Sequence, residues 1–210
     1  MFSMGELDLG DDLTNPFLLN PEDSYSNEQK QLSGDRVGIS KKPEIKAWSG
    51  PFIMATANTR VVRRSEALLA LRQESYGSNF TYQEHAYHKS WLSAVSSLLL
   101  TGLSVLVLLS PLKRLVKPFL PKPGEGPSEA VQENGWFDCK FIAESEDGTK
   151  SVFNMHGKGD PGYKVTSKLV SECALCLIED IEELPGGRGY GGVLTSASVS
   201  YTHLTLPTKA

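Results

Sequence analysis

The sequence predicts an α+β fold that is interrupted by an apolar membrane-inserting helix. Two observations predict the α+β part: alternating apolar and polar residues flank an Asp147-Gly148 turn, and apolar residues recur at helical spacing over 165–183. A third predicts the membrane part, because residues 91–112 contain no charge and are long enough for a bilayer. With 210 residues, the chain can build one good-sized core or two small ones.

The composition argues against several classes of protein. A net charge of −4, with no basic stripe carrying interleaved aromatic residues, gives no reason to expect nucleic acid as a partner. Cys139, Cys173 and Cys176 are too few for a disulfide framework, so a reducing compartment fits best. The acidic first residues lack the basic and apolar regions of a secretory signal.

The first 90 residues divide into a polar, loop-rich segment at 1–47 and the first part of the α+β domain at 48–90. Residues 52–57 have a strand-like composition, and residues 61–73 are predicted to form a helix. The residues predicted on the buried side of that helix are Val62, Leu68, Leu69 and Leu71.

Three arginines, Arg60, Arg63 and Arg64, cluster at the start of this helix. Runs of charge usually lie on solvated surfaces, so we interpret them as a solvated face. An anionic partner, such as a phosphate or a lipid head group, is the alternative.

Residues 91–120 are predicted to be a membrane-inserting segment that is followed by a basic amphipathic stretch. Both a full span and a monotopic or re-entrant insertion remain open. We favour the second, because the two flanks are expected to pack into one domain. The predicted membrane-contacting residues are Trp91, Leu98, Leu99, Leu100, Leu103, Val105, Leu106, Val107, Leu108, Leu109, Lys113, Arg114 and Lys117.

The last third is predicted to contain a strand hairpin, a helix over 165–183 and a closing strand, all within residues 136–198. Residues 199–210, ending in "LTLPTKA", resemble translated adapter sequence. We interpret them as a non-native tail and exclude them from the fold.

A glycine pattern, G-x-G-x-x-G, occurs at Gly157, Gly159 and Gly162. Asp160 would place a carboxylate among the pyrophosphate contacts, and Pro161 removes one backbone N–H donor. The preceding strand also belongs to a hairpin rather than to a parallel sheet. The pattern therefore predicts a turn before a helix, and no cofactor-binding residue is assigned.

The other candidate residues do not predict a metal site or a catalytic site. Cys173 and Cys176 fall in mid-helix, and no second ligand pair accompanies them, so two packed hydrophobic side chains and no metal are expected. The histidines are dispersed, and no nucleophile, base and acid stand at a recognisable spacing. The catalytic residues are therefore left unknown.

Three stretches carry a family resemblance: "GPFIMATANTRVVRRSEAL", "GKGDPGYKVTSKLVSECAL" and "GGVLTSAS". In this order, with the apolar segment after the first, they resemble the C-terminal half of saccharopine dehydrogenase-like oxidoreductases. These membrane- and lipid-droplet-associated eukaryotic proteins also resemble bacterial trans-acting enoyl reductases. The resemblance runs from about Trp48 to Ser198, and Ser196 stands where the family often has proline.

The resemblance implies that the chain is the C-terminal partner domain of a Rossmann-type oxidoreductase whose dinucleotide-binding domain is missing. It implies NAD(P) as the cofactor of the full-length family, a role in lipid metabolism when intact, and no activity for this chain alone. The implied partners are membrane lipid and the missing Rossmann half. The implied location is an intracellular membrane of the lipid droplet, endoplasmic reticulum or mitochondrion. The alternatives are a non-enzymatic membrane-anchored interaction protein and an ordinary single-span protein.

Overall fold

The computed structural model describes residues 15–22, 24–27, 29, 33, 38–77, 79–119, 122, 124–184, 187–189 and 191–199. Its helices are α1 (Ala55–Ala70), α2 (Trp91–Leu109), α3 (Lys113–Val116), α4 (Glu129–Asn134), α5 (Lys164–Glu179) and α6 (Ser196–Val199). Its strands are β1 (Ser40–Lys42), β2 (Ala47–Gly50), β3 (Ala86–His88), β4 (Trp136–Glu144) and β5 (Lys150–Lys158). By internal contacts the chain divides into a first unit, residues 1–37, 51–86 and 180–210, and a second unit, residues 38–50 and 87–179. The proposed tail, except for Val199, lies outside the described residues.

Helix α1 carries the core of the first unit. Leu68 and Leu69 are buried, as is the ring of Phe17, which stacks on Tyr25 with 4.4 Å between the ring centroids. The predicted burial of Leu71 is wrong, because the helix ends at Ala70 and Leu71 lies exposed in the turn that follows.

Helix α1 begins at Ala55 instead of Val61, so the strand-like interpretation of residues 52–57 is wrong. The apolar side chains of Phe52, Ile53 and Met54 are exposed rather than covered by a neighbouring strand. Alanines at the start of the helix have high helix propensity, which favours the earlier start.

The second unit contains a three-stranded sheet in the order β1-β2-β3. Strands β1 and β2 are antiparallel and pair Ser40 with Ser49, whose hydroxyl oxygens lie 2.8 Å apart. Ala47 and Ser49 of β2 are buried. The polar residues before position 48 therefore include a strand that the sequence pattern does not reveal.

The predicted membrane-inserting helix is wrong, and with it the fold class as predicted. Among the described residues, no helix is long and apolar enough to cross a membrane. Helix α2 has 19 residues and ends at Leu109, before Ser110 and Pro111, instead of continuing to Leu112. Its length of about 28 Å falls slightly short of a hydrocarbon core of about 30 Å. The described residues adopt an α+β arrangement without such a helix.

The predicted membrane-contacting residues lie in α2, in α3 and just after α3. Leu99, Leu103 and Leu106 are exposed, as are the basic residues Lys113 and Arg114. The side chain of Leu108 lies outside the described part. Contact between these residues and lipid stays a prediction.

Strands β4 and β5 form a two-stranded antiparallel sheet of their own. Glu144 pairs with Lys150 next to the turn, and Trp136 pairs with Lys158 at the far end. In the turn, Gly148 has a φ of +82°, a conformation that glycine adopts without strain.

Helix α5 ends at Glu179, earlier than the predicted Glu183. Where a closing strand is predicted, the described residues form the 3₁₀ turn Gly187–Gly189 and the short helix α6. Thr195 and Ser198 are buried in the first unit, where the hydroxyls of Thr195 and Ser65 lie 2.8 Å apart. This last segment therefore contributes to the core around α1.

Candidate functional site

The glycine pattern lies at the junction between β5 and α5. Gly157 belongs to β5, opposite Phe137 of β4. Gly159 has a φ of +98°, and its N–H donates to the carbonyl oxygen of Gly135 at 2.7 Å. Its backbone donor is therefore used within the protein to close the open end of the hairpin.

Asp160 caps the start of helix α5. Its carboxylate oxygen Oδ2 accepts a hydrogen bond from the N–H of Tyr163 at 2.7 Å, and its carbonyl accepts from the N–H of Val165 at 3.0 Å. The partial positive charge at a helix N-terminus attracts phosphate groups, and here it already faces the chain's own carboxylate. This geometry is that of a capped turn before a helix.

The β4–β5 hairpin carries a polar face, which we define as Asp138, Lys140, Asn154 and His156. Residues directly opposite each other in an antiparallel pair point to the same side, and Asp138 pairs with His156 and Lys140 with Asn154. The Lys140 ammonium also donates to the Asn154 side-chain oxygen at 3.1 Å. Ionisable groups are thus gathered on one side of the hairpin.

Tyr87 of β3 meets this polar face. Its hydroxyl donates a short hydrogen bond to Asp138, and the Lys140 ammonium lies 3.7 Å from the same carboxylate and 5.4 Å from the centre of the Tyr87 ring. Asp138 and Lys140 are each about a quarter exposed, at 23% and 26% of their side chains. The cluster is therefore ordered by its own contacts and still open to a ligand.

The hydrogen bond between Tyr87 and Asp138 shifts the pKa of both groups. It raises the pKa of Tyr87 above its usual value of 10.0, and burial adds to the rise. It lowers the pKa of Asp138 below its usual value of 3.8, and the charges of Lys140 and His156 lower it further. At neutral pH the pair is therefore a protonated phenol, which can donate a hydrogen bond, beside an ionised carboxylate.

A shallow depression of about 500 Å³ adjoins this cluster. The ring of Trp136 stacks on His156 there, with 5.9 Å between the centroids. Its lining residues are Glu133, Asn134, Gly135, Trp136, His156 and Lys158. An aromatic surface beside cationic and hydrogen-bonding groups suits a polar ligand that carries a planar or anionic part.

The solvated-face interpretation of the arginines is wrong for Arg60 and Arg63, which are only 6% and 3% exposed. Arg63 donates to the carbonyl oxygens of Pro16 at 2.9 Å, Ser33 at 2.5 Å and Tyr82 at 3.2 Å. Its guanidinium also lies 5.4 Å from the centre of the Phe17 ring. Arg63 therefore holds together the segments around α1 and has a structural role in the first unit.

The C-x-x-C pattern lies within one helix. Cys173 and Cys176 are half-buried in α5. Within the described part of the chain, no group of three or more His, Cys, Asp or Glu residues is placed to hold a metal ion. The sequence patterns do not reveal the cluster of Tyr87, Asp138 and Lys140, although the alternation in "WFDCK" indicates that Asp138 and Lys140 share a face.

The chain is similar to bacterial enoyl reductases. It is 37% identical over 199 residues to a protein of Mycobacterium tuberculosis strain H37Rv that is provisionally named as a trans-acting enoyl reductase; the match covers 89% of this chain and 46% of the relative. Trans-acting enoyl reductases of Mycobacterium leprae and of Mycobacterium bovis BCG are each 33% identical, over 77% and 78% of this chain and 39% and 40% of their own lengths. The chain thus spans less than half the length of these curated relatives. No protein-family model and no solved structure matches the chain.

These comparisons correct the family resemblance. The relatives are named trans-acting enoyl reductases, so the identification as saccharopine dehydrogenase-like is wrong. The sequence resemblance predicts membership of the eukaryotic group, to which the bacterial proteins are only similar. Enoyl reductases are oxidoreductases, and the chain is therefore related to oxidoreductases.

Proposed function

We propose that this chain is part of an oxidoreductase that uses NAD(P)H to reduce the carbon–carbon double bond of an enoyl group in lipid metabolism. The similarity to the M. tuberculosis relative, at 37% identity over most of the chain, carries this proposal. The reduction adds a hydride to one alkene carbon and a proton to the carbon next to the carbonyl. The intact enzyme then needs a nicotinamide site and a group that binds or protonates the carbonyl end of the substrate.

The polar face of the hairpin is the proposed substrate side. Tyr87 keeps its proton at neutral pH, as an ordinary tyrosine does, and its hydrogen bond to Asp138 raises its pKa further. In this proposal the single O–H of Tyr87 turns from Asp138 to the substrate carbonyl oxygen, on which negative charge develops during hydride addition. In this proposal Asp138 and Lys140 position the phenol, since both lie against it.

The nicotinamide nucleotide is proposed to bind outside the Gly157–Gly162 loop. Asp160 faces the start of α5 with its own carboxylate, and the N–H of Gly159 is bonded to Gly135. A pyrophosphate would have to displace the Asp160 carboxylate from the start of the helix and compete with the Gly135 carbonyl for the N–H of Gly159. The curated relatives have more than half of their length outside the match, which leaves room for a nucleotide-binding part in the intact protein.

The test is a chimera in which this chain replaces the matching segment of the M. tuberculosis relative. NADPH oxidation is followed by absorbance with crotonyl-CoA as the enoyl probe and butyryl-CoA as the saturated control. We expect oxidation that depends on crotonyl-CoA and that saturates. A chimera that is folded by circular dichroism and binds NADPH, but oxidises it no faster with crotonyl-CoA than with butyryl-CoA, would refute the proposal, provided that the unmodified relative is active.

A further inference from the structure

The side of the β4–β5 hairpin opposite the polar face is apolar. We define this phenylalanine face as Phe137, Cys139, Phe141, Phe153 and Met155. The register pairs Cys139 with Met155 and Phe141 with Phe153, so these side chains lie on one side of the two strands. The rings of Phe141 and Phe153 have their centroids 6.0 Å apart.

Three side chains of the phenylalanine face are open to solvent, whereas Phe137 and Cys139 are half-buried. Phe141 is 42% exposed, Phe153 63% and Met155 40%. On the polar face, by contrast, Tyr87 contacts Asp138. Tyr87 thus reaches the polar side of the hairpin, while apolar side chains on the other side remain exposed, which is unusual for an antiparallel sheet.

A two-stranded hairpin of this kind needs a further layer. An isolated hairpin is marginally stable in water, and a hydrophobic face normally packs against a helix or a second sheet. Helix α5, which follows the hairpin, has no buried residue, and its Val170 and Ile178 are also exposed. Phe141, Phe153 and Met155 thus remain uncovered within the described part of the second unit.

Edge-to-edge pairing with a second copy is electrostatically unfavourable. A two-fold axis through the middle of β5, at Asn154, would place Lys150 of one copy opposite Lys158 of the other. An axis through the middle of β4 would place Lys140 opposite itself. Like charges directly opposite each other destabilise an antiparallel pair. A dimer formed by edge-to-edge strand pairing is therefore not expected.

We propose that the phenylalanine face docks the polypeptide that corresponds to the remainder of the curated relatives, the part outside the stretch that this chain matches. The M. tuberculosis relative has more than half of its length in that remainder, which is enough chain for a further layer. The expected contact is an apolar helix or sheet face laid over Phe141, Phe153 and Met155. This inference rests on the exposed face and on the relatives' length, and does not require enoyl reduction.

The experiment co-expresses this chain, carrying a tag, with the untagged remainder of the M. tuberculosis relative. The variant Phe153→Glu places a charge on the phenylalanine face. The matched control, Asn154→Glu, places the same charge one residue along, on the polar face. Both positions are exposed, so both variants are expected to keep the hairpin, which circular dichroism of the chain alone checks.

We expect a 1:1 complex with the wild-type chain and with Asn154→Glu, and at least a tenfold loss of complex with Phe153→Glu. Equal recovery of complex with all three would overturn the proposal, as would absence of complex when both polypeptides are recovered folded. A wild-type chain that is dimeric alone and becomes monomeric with Phe153→Glu would also overturn it, because the occupant would then be a second copy.

Discussion

The ring of Phe137 lies across the strand pair from Gly157 and fills the space that a side chain at position 157 would need. A Cβ atom placed on Gly157 would come within 2.2 Å of two ring carbons of Phe137. The glycine is thus required by the packing of the hairpin, and its place in a G-x-G-x-x-G pattern follows from that packing.

Replacing this glycine is expected to destabilise the second unit. In Gly157→Ala the Phe137 ring must rotate away, and overpacking of this kind costs about 1 kcal/mol or more of unfolding free energy. Urea unfolding followed by far-ultraviolet circular dichroism measures the change. The control is Gly102→Ala in α2, where nothing lies within 4 Å of the added methyl group and stability is expected to rise by about 0.5–1 kcal/mol. Equal midpoints for the two variants would contradict this account.

Substitution of Arg63 is expected to lower the free energy of unfolding of the first unit strongly. Arg63→Met removes its hydrogen bonds to the carbonyls of Pro16, Ser33 and Tyr82, and a loss of about 3 kcal/mol is expected because charged donors are removed from buried acceptors. Arg72→Met is the matched control, since Arg72 makes a partly exposed ion pair with Glu74 whose loss costs less than about 1 kcal/mol. If the Arg63 side chain lay on a solvated face instead, Arg63→Met and Arg72→Met would have equal free energies of unfolding in urea.

The Tyr87–Asp138 hydrogen bond is expected to stabilise the folded protein only between an acidic and a basic pH limit. Tyr87 has a raised pKa, so its contribution to stability is present below pH 10.0 and is lost as the pH rises through the raised value. Asp138 has a lowered pKa, so its contribution is present above pH 3.8 and is lost as the pH falls through the lowered value. The difference between wild-type and Tyr87→Phe absorbance at 295 nm isolates the titration of this phenol.

The same titration in Asp138→Asn gives the sharper comparison. Without the carboxylate, the pKa of Tyr87 is expected to move down towards 10.0. An unchanged phenol titration in Asp138→Asn would show that the hydrogen bond does not hold the proton of Tyr87.

Asp160 is expected to stabilise α5 rather than to oppose a bound nucleotide. Asp160→Ala should lower the unfolding free energy by about 1 kcal/mol through loss of the cap, while Asp160→Asn should retain most of it. Neither variant is expected to bind NADPH in a fluorescence titration. Saturable NADPH binding by Asp160→Ala that is lost in the double variant with Gly159→Ala would reveal a nucleotide loop instead.

The sequence predicts local structure best where two signals agree. The Asp147-Gly148 turn and the alternation on both sides of it predict the hairpin that β4 and β5 form. Apolar spacing predicts the burial of Leu68 and Leu69. Apolar spacing does not predict the burial of Arg63, because its hydrogen bonds go to carbonyls of Pro16 and Ser33, which are distant in the chain. It also does not predict the burial of Arg60, whose guanidinium donates to the carbonyl of Thr56 in the same helix.

The candidate site is also hard to predict from the sequence, because it is formed by residues that are distant along the chain. Tyr87 and Asp138 are far apart in sequence and meet only through the fold. The apolar run over 91–112 suggests a longer helix than the one that forms, because composition does not show that Ser110 and Pro111 end it. The predicted domain bounds, lipid contact and intracellular location remain predictions.

One measurement tests the proposed substrate side on the polar face most directly. It is the steady-state rate of crotonyl-CoA-dependent NADPH oxidation by the chimera, with and without Tyr87→Phe. Loss of a group that stabilises the developing charge is expected to lower kcat about 100-fold. The KM for NADPH should stay within about a factor of two, because the nucleotide is held elsewhere. A kcat unchanged by Tyr87→Phe in an active chimera would contradict the placement of the substrate on the polar face of the hairpin.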